Sequence, residues 1–274
     1  MESNHMTCYA LSSRGGREAN EDSVAVARSP FAALCVLADG LGGHGMGDVA
    51  SQLVCRHIKE EFGKWQGADM ERFLRDSFDS AQICLTLEQV RLKAQDRMKT
   101  TAVAVVADGA QVGWAHVGDS RLYYFKDGSL VGRTLDHSVP QKLATAGEIQ
   151  ECQIRGHEKR NQLYRVMGKP WKKPAYVLGG PIPFEDNQVF LLCSDGFWEY
   201  ILEEQMEELL RRSETPKEWI LAMEQEVLKN GAGKNMDNYS AVALFTNHCS
   251  RELSENRLQK SEWREDKAES EILP

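Results

Sequence analysis

Residues 34–51 read LCVLADGLGGHGMGDVAS, and the rest of the chain is organised around this stretch. An apolar run over 31–38 has strand length and stops at Asp39-Gly40, after which a glycine-dense turn leads into a helical pattern at about Gly47. A carboxylate is thereby set at the end of a buried strand, where glycine lets the backbone bend closely around a ligand.

Upstream, residues 7–11 and 23–27 predict short strands separated by the loop SSRGGREANED, which concentrates Arg14, Arg17, Asn20, Glu21 and Asp22. Downstream, 49–62 and 70–90 carry helical spacing, with Val49, Leu53, Ile58 and Phe62 in one set and Phe73, Phe78, Ile83 and Leu87 in the other. The period then changes to that of strands over 101–107, 111–117 and 121–125, with a short one near Leu130, which is the order of an antiparallel meander. A helix is expected over 138–146 and irregular chain over 147–183. A buried strand over 189–193, helices over 203–212 and 216–229, and a last strand over 239–246 complete the pattern. Strands mixed with helical pairs, without strict alternation, predict an α+β layered fold with mainly antiparallel sheets. Residues 1–6 are set apart as a flexible or cloning-derived N-terminus, and 247–274 as a charged C-terminal tail with little to bury.

With 274 residues and 42% hydrophobic content, the chain can fill one large core or two small ones, and no internal repeat or linker divides it. A net charge of -8 without a lysine or arginine block argues against nucleic acid or an anionic membrane as main partner. The seven cysteines are scattered singly without a C-x-x-C pair, which suits a reducing cytoplasm. There is no basic-then-apolar leader and no apolar run of membrane-spanning length, so a soluble cytoplasmic protein is expected.

Asp-Gly occurs at 39, 108, 127 and 195. The pairs at 108 and 127 lie between plausible strands and predict hairpin turns. Those at 39 and 195 lead instead into a glycine loop and into Phe197-Trp198, where no strand returns. Asp119 in HVGDSR and Asp237 in KNMDNYS also flank strands, and the Asn20-Glu21-Asp22 loop can join them. Clustered carboxylates repel unless a cation holds them, and hard oxygen ligands suit Mg²⁺ or Mn²⁺. The alternative is a set of separate solvated turns, since aspartate is common there. Residues 40–45 also match G-x-G-x-x-G, but the second strand with its terminal acid about 20 residues on is missing, which makes a dinucleotide-binding oxidoreductase the lesser reading.

Taken together, these residues resemble the metal-dependent protein phosphatases of the PP2C family in their compact bacterial form. Residues 17–22 resemble the family's R-x-x-N-E-D, and residues 38–51 its A-D-G-x-G-G-H-x-x-G-x-x-A-S. Thr100-Thr101-Ala102, Val117-Gly118-Asp119-Ser120-Arg121, Asp136-His137-Ser138, residues 161–168, residues 192–196 and Asp237-Asn238 follow in the family's order, so the similarity covers about 7–246. The resemblance implies a four-layer α-β-β-α sandwich, two antiparallel sheets flanked by helix pairs, with a two-metal centre at one end. It implies that Asp39 bridges two Mg²⁺ or Mn²⁺ ions, that the Gly40 carbonyl binds one, and that Asp195 and Asp237 bind the other. Glu21 and Asp22 would act through bound waters, Asp119 with Asp195 would hold a third, weaker ion, and Asn238 would orient its neighbour.

The reaction implied is hydrolysis of phosphoserine and phosphothreonine on proteins by direct attack of a metal-bridging hydroxide on phosphorus, with Arg17 forking the phosphate oxygens. A cognate serine/threonine kinase and a monomeric state are expected with it. A non-catalytic binding module of the same fold is the alternative, and its mark would be loss of a metal aspartate. Leu41 stands where eukaryotic members often have a histidine. His44 is therefore the candidate general acid, with anchoring of the glycine turn as its other reading. Arg14-Gly15-Gly16-Arg17 departs from the usual acidic residue and single glycine, which leaves open which arginine meets phosphate. The flap-like segment 147–168 carries Arg155, His157, Lys159 and Arg160, either an attractant for acidic partner loops or an ordinary solvated surface.

Overall fold

Alternating apolar residues in eleven segments pair into two antiparallel sheets, and the helical segments cover the outer faces. The structure is a computed structural model that describes residues 4–41 and 45–248. In chain order the strands are β1 (Asn4–Ser13), β2 (Asp22–Arg28), β3 (Ala33–Leu41), β4 (Lys99–Thr100), β5 (Ala102–Ala107), β6 (Gln111–Val117), β7 (Arg121–Lys126), β8 (Ser129–Arg133), β9 (Val177–Pro183), β10 (Gln188–Cys193) and β11 (Tyr239–His248). The helices are α1 (Gly47–Lys64), α2 (Met70–Leu92), α3 (Val139–Thr145), α4 (Asp195–Trp198), α5 (Glu203–Arg211) and α6 (Pro216–Gly231). One sheet has the order β1-β11-β10-β7-β8 and the other β2-β3-β5-β6-β9, with β4 added to the end of β3.

Because strand residues alternate between faces, each sheet buries two sides. Cys35, Leu37, Val103 and Val105 meet Leu122, Phe190, Leu192 and Val242 between the sheets. Val36, Ala104 and Val106 pack outward on α1 and α2, and Tyr123, Leu191 and Ala243 pack outward on α5 and α6. The four-layer α-β-β-α sandwich is therefore the observed architecture. Asp127-Gly128 makes the β7–β8 turn with positive φ at both residues (49° and 79°), as the hairpin reading required. At the β5–β6 turn, Oδ1 of Asp108 accepts from the amides of Ala110 and Gln111, both at 2.9 Å.

Several elements differ from expectation. The buried face of α2 is Phe73, Leu74, Ser77, Phe78, Ala81, Leu85 and Gln89, so Ile83 and Leu87 stand outside it, 59% and 65% exposed. Apolar identity alone misplaced them, because three- and four-residue steps from Phe78 lead to Ala81 and Leu85. The segment expected to be irregular contains β9, whose Gly179, Gly180 and Pro181 hid a strand at a sheet edge. Strand β1 starts at Asn4 and pairs that residue with His248, so the boundaries set at 7 and 246 fall inside paired strands. The remainder of the tail, 249–274, and His44 lie outside the described residues.

Truncating the α2 face separates the two readings of the helix. Phe78→Ala should lower the unfolding free energy by about 3–5 kcal/mol, whereas Leu87→Ala should change it by no more than about 0.5 kcal/mol, measured by urea denaturation. Equal losses at both positions would contradict the observed face.

Candidate metal centre

Antiparallel pairing brings one end of each of several strands to the same edge of the sandwich. Asp22 at the start of β2 is the register partner of Asp39 near the end of β3. Asp119 follows β6, Asp195 follows β10 and Asp237 precedes β11. Five aspartates distant in sequence are thus gathered where strands stop, the place that chain direction alone assigns to them.

Backbone and hydroxyl groups hold this edge. The Asp39 carbonyl accepts from the Thr101 amide and the Thr100 hydroxyl, each at 2.8 Å, and the Asp39 amide donates to Oγ1 of Thr101 at 2.9 Å. The Ser194 hydroxyl donates to Oδ2 of Asp22 at 2.7 Å, joining the two sheets. Oδ1 of Asn238 accepts from the Glu21 amide at 2.8 Å, while its Nδ2 donates to the carbonyls of Arg14 and Ala19 at 2.9 and 2.8 Å. Asn238 therefore fixes the loop carrying Arg17 and Glu21 as well as flanking Asp237. At Gly40 a Cβ would lie 2.3 Å from the Gly47 carbonyl group and 2.6 Å from the Glu21 carbonyl oxygen, so only glycine permits this approach.

A pocket of about 600 Å³ opens here, lined by Arg17, Glu21, Asp39, Gly40, Asp195 and Asp237 among others. Arg17, not Arg14, reaches it, and Nη2 of Arg17 lies 2.7 Å from Oδ2 of Asp237. Burial first, and the mutual repulsion of the carboxylates second, raise Asp39 and Asp119 well above the ordinary aspartate range. Burial likewise raises Asp195 against the opposing pull of Arg160, and pushes Asp22 up to about 7. Oδ1 of Asp22 and Oδ1 of Asp119 are buried without a hydrogen-bond partner.

Among the described residues no three carboxylate, imidazole or thiolate groups converge closely enough to ligate one ion as they stand. Guanidinium groups come between them: Arg17 on Asp237, and Arg160 on Asp195 at 3.1 Å and on Glu199. The donor set nevertheless fits hard divalent cations, since it is all oxygen, strongly anionic when ionised, and includes two orphaned buried oxygens.

Sequence reasoning did not place Glu199 here. The signal was its position four residues after Asp195, which puts both on one side of the short α4 turn. Of Arg155, His157, Lys159 and Arg160, two turn inward rather than to solvent: Arg160 as above, and Arg155 onto Glu203 at 2.5 Å. His137 accepts at Nδ1 from the Gly118 amide at 3.1 Å, a structural role. The dinucleotide reading is not supported by this topology, because β3 and α1 are followed by α2 and antiparallel strands rather than a parallel partner.

Comparison with known proteins agrees with this geometry. The serine/threonine phosphatase stp of Listeria monocytogenes is 33% identical over 189 residues, covering 68% of this chain and 74% of that protein. The structure of Stp1 from Staphylococcus aureus superposes with a TM-score of 0.79 at 27% identity, over 89% of this chain and 97% of that one. The catalytic domain of the phosphatase PstP, solved with two manganese ions, gives 0.76 at 28% identity over 88% and 98%. The sequence model for protein phosphatase 2C matches residues 12–230, and a match of that extent over a sandwich with its acidic residues gathered at one edge means that the chain belongs to the protein phosphatase 2C family.

Proposed function

We propose that the chain is a divalent-metal-dependent protein phosphatase that hydrolyses phosphoserine and phosphothreonine. The observation that carries this reading is a pocket lined by Asp39, Asp195, Asp237 and Arg17, with the charges of Asp22 and Asp119 acting on Asp39 from beside it. Family membership and relatives named as serine/threonine phosphatases support it. Asp39, Asp195, Asp237 and the Gly40 carbonyl are the proposed holders of two Mg²⁺ or Mn²⁺ ions. Glu21 and Asp22 act through water, and Asp119 with Asp195 offers a third, weaker position. When bound, such ions supply Lewis acidity toward phosphoryl oxygens and make water a stronger acid.

The chain's own residues do the positioning. Arg17, half-exposed at the pocket mouth, exchanges its contact with Asp237 for the phosphate oxygens, to which a planar guanidinium offers two parallel donors. Asn238 keeps the Arg17 loop in register with Asp237. Leu41 lines the pocket where it holds no proton to give, which leaves His44 as the proposed donor to the departing seryl or threonyl oxygen. All the aspartates of the set are present, which favours an enzyme over a non-catalytic binding module. The catalytic unit, with β1 and β11 counted whole, is proposed to act as a monomer in the cytoplasm, opposing a serine/threonine kinase. No helix among the described residues is long and apolar enough to cross a membrane.

Hydrolysis of a phosphothreonine peptide tests the reading directly. Activity with Mn²⁺ should vanish in EDTA and fall by about 10²-fold or more in Asp39→Asn. Persistence in EDTA would sink the metal mechanism, and inactivity with Mn²⁺ would favour the binding module. Arg17→Ala should raise KM by roughly tenfold while leaving kcat within about threefold, as expected for loss of ground-state phosphate binding.

A second test uses stability. Asp22 holds its proton more tightly folded than unfolded, so folding takes up a proton and stability falls as pH rises from its unfolded value near 4 through about 7. In EDTA, urea midpoints should therefore drop between pH 5 and pH 7.5, by less in Asp22→Asn than in the wild type. Equal drops would remove Asp22 as a contributor.

A further inference from the structure

A second cavity lies away from the acidic edge. It has a volume of about 740 Å³ and lies between the open edges of the two sheets, where β8 borders one and β9 the other, with α3 and Tyr164 over it. It shares no lining residue with the acidic pocket. The size is that of a small-molecule site.

Its walls are mainly apolar, including Trp114, Leu122, Val131, Leu135 and Val177. Of these Val131, Leu135 and Val177 are more than 40% exposed, although each sits on or beside a strand edge that another element could have covered. Two imidazoles stand at the wall, His116 and His137, stacked with ring centroids 4.9 Å apart and 12° between planes. Nε2 of His116 faces the Leu135 carbonyl at 3.1 Å, and a carbonyl only accepts, so Nε2 carries the hydrogen. Burial lowers the His116 pKa and keeps the ring neutral, which makes Nδ1 an acceptor. That Nδ1 is buried and has no partner.

The charges around the cavity are unequal. Its one acidic lining residue, Asp136, is spent on Arg121, which donates to both of its oxygens at 2.8 Å. Arg133 is engaged by Glu151 and Gln141. Lys142 and Arg165 have no carboxylate partner among the described residues; both are exposed and lie at 3.7 and 5.8 Å from the Tyr164 ring centroid. Two cations without a carboxylate partner beside an aromatic face, together with apolar walls, define one kind of occupant.

We propose that this cavity is a binding site for a small planar aromatic anion. The aromatic body takes the apolar walls and the anion meets Lys142 and Arg165. The site is near the acidic edge along the chain, since His137 is hydrogen-bonded to the Gly118 amide and its own amide donates to the Gly118 carbonyl at 2.8 Å, one residue before Asp119. The proposal does not depend on phosphatase activity.

The probe is 1-anilinonaphthalene-8-sulfonate, which has aromatic rings and one sulfonate. Titrated into the full folded chain at pH 7.5, it should gain fluorescence with a stoichiometry of about one. Lys142→Glu and Arg165→Glu should each weaken binding by about tenfold through reversed charge. Ala146→Trp, which places an indole at the exposed end of α3, should abolish it by filling the cavity. Asp39→Asn, in the other pocket, should bind the probe as the wild type does. Near-UV circular dichroism on each variant shows whether it is folded, and the charge reversals are at exposed positions, so they remain informative if the tryptophan variant misfolds. Absence of binding, several equivalent weak sites, or binding unchanged in the Lys142→Glu/Arg165→Glu double variant would overturn the assignment.

Discussion

Carboxylates that share a desolvated space repel one another, and the acidic edge of this sandwich exists only because other interactions hold it against that repulsion. Asp39 experiences burial together with the charges of Asp22, Asp195, Asp119 and Asp237. A sheet end left to itself would relax by splaying its strands or turning its aspartates to water. Here the strands cannot splay, because the Ser194 hydroxyl ties Asp22 of one sheet to β10 of the other, and the Ser240 amide donates to that same hydroxyl oxygen at 2.9 Å. The tension is relieved instead by protonation, by guanidinium groups from Arg17 and Arg160, or by a bound cation.

These three means of relief act on different members of one charge cluster. A proton on Asp22, Arg160 on Asp195 and a divalent ion each neutralise part of one charge cluster, and the arrival of one weakens the hold of the others. The flap therefore bears on the acidic edge through a named contact. Arg160 is 15% exposed at its side chain and bridges Asp195 to Glu199, so a residue of the 147–168 segment is engaged with Asp195 itself. Arg155 packs beside it on Glu203 and the Trp198 carbonyl, which keeps that segment against α4 whether or not Arg160 holds its partners.

Much of this was legible in the sequence because it is local. An apolar run that ends in Asp-Gly announces a strand end with a carboxylate on it. The Asp39 and Asp195 pairs could be separated from the hairpin pairs at Asp108 and Asp127 because a glycine loop and a helix, not a returning strand, come next in the chain. The α+β class with antiparallel sheets was legible from the change of period between helices and meander, while the four-layer order came only with the family resemblance. Tertiary placement was not legible. A cluster of basic residues in a polar segment reads as surface, and nothing in its composition says that Arg155 and Arg160 turn inward while His157 and Lys159 do not. Strand β9 is held by its pairing with β6, across a register shift between Val112 and Trp114, and not by any propensity of its Gly-Gly-Pro centre. The exposed Ile83 and Leu87 make the same point for helices, since a face is set by the partner it meets.

At Asp119 the edge is held by a contact to the backbone rather than by an ion pair. Arg121, two residues on, is fully buried and could have been its counter-ion. It is committed to Asp136 through two hydrogen bonds, and its guanidinium lies 3.5 Å from the centroid of the Trp198 ring. The indole N–H of that same Trp198 donates to the Asp119 backbone carbonyl at 3.0 Å. A buried pair of this kind adds little net stability over an apolar equivalent, because desolvation offsets most of the attraction, but losing one partner is costly. Its effect here is positional. The Arg121–Asp136 pair orients Trp198, Trp198 fixes the backbone of Asp119, and the side chain of Asp119 is left with Oδ1 unpartnered. Had Arg121 paired with Asp119 directly, the loop would be held as firmly, but that oxygen would already be occupied.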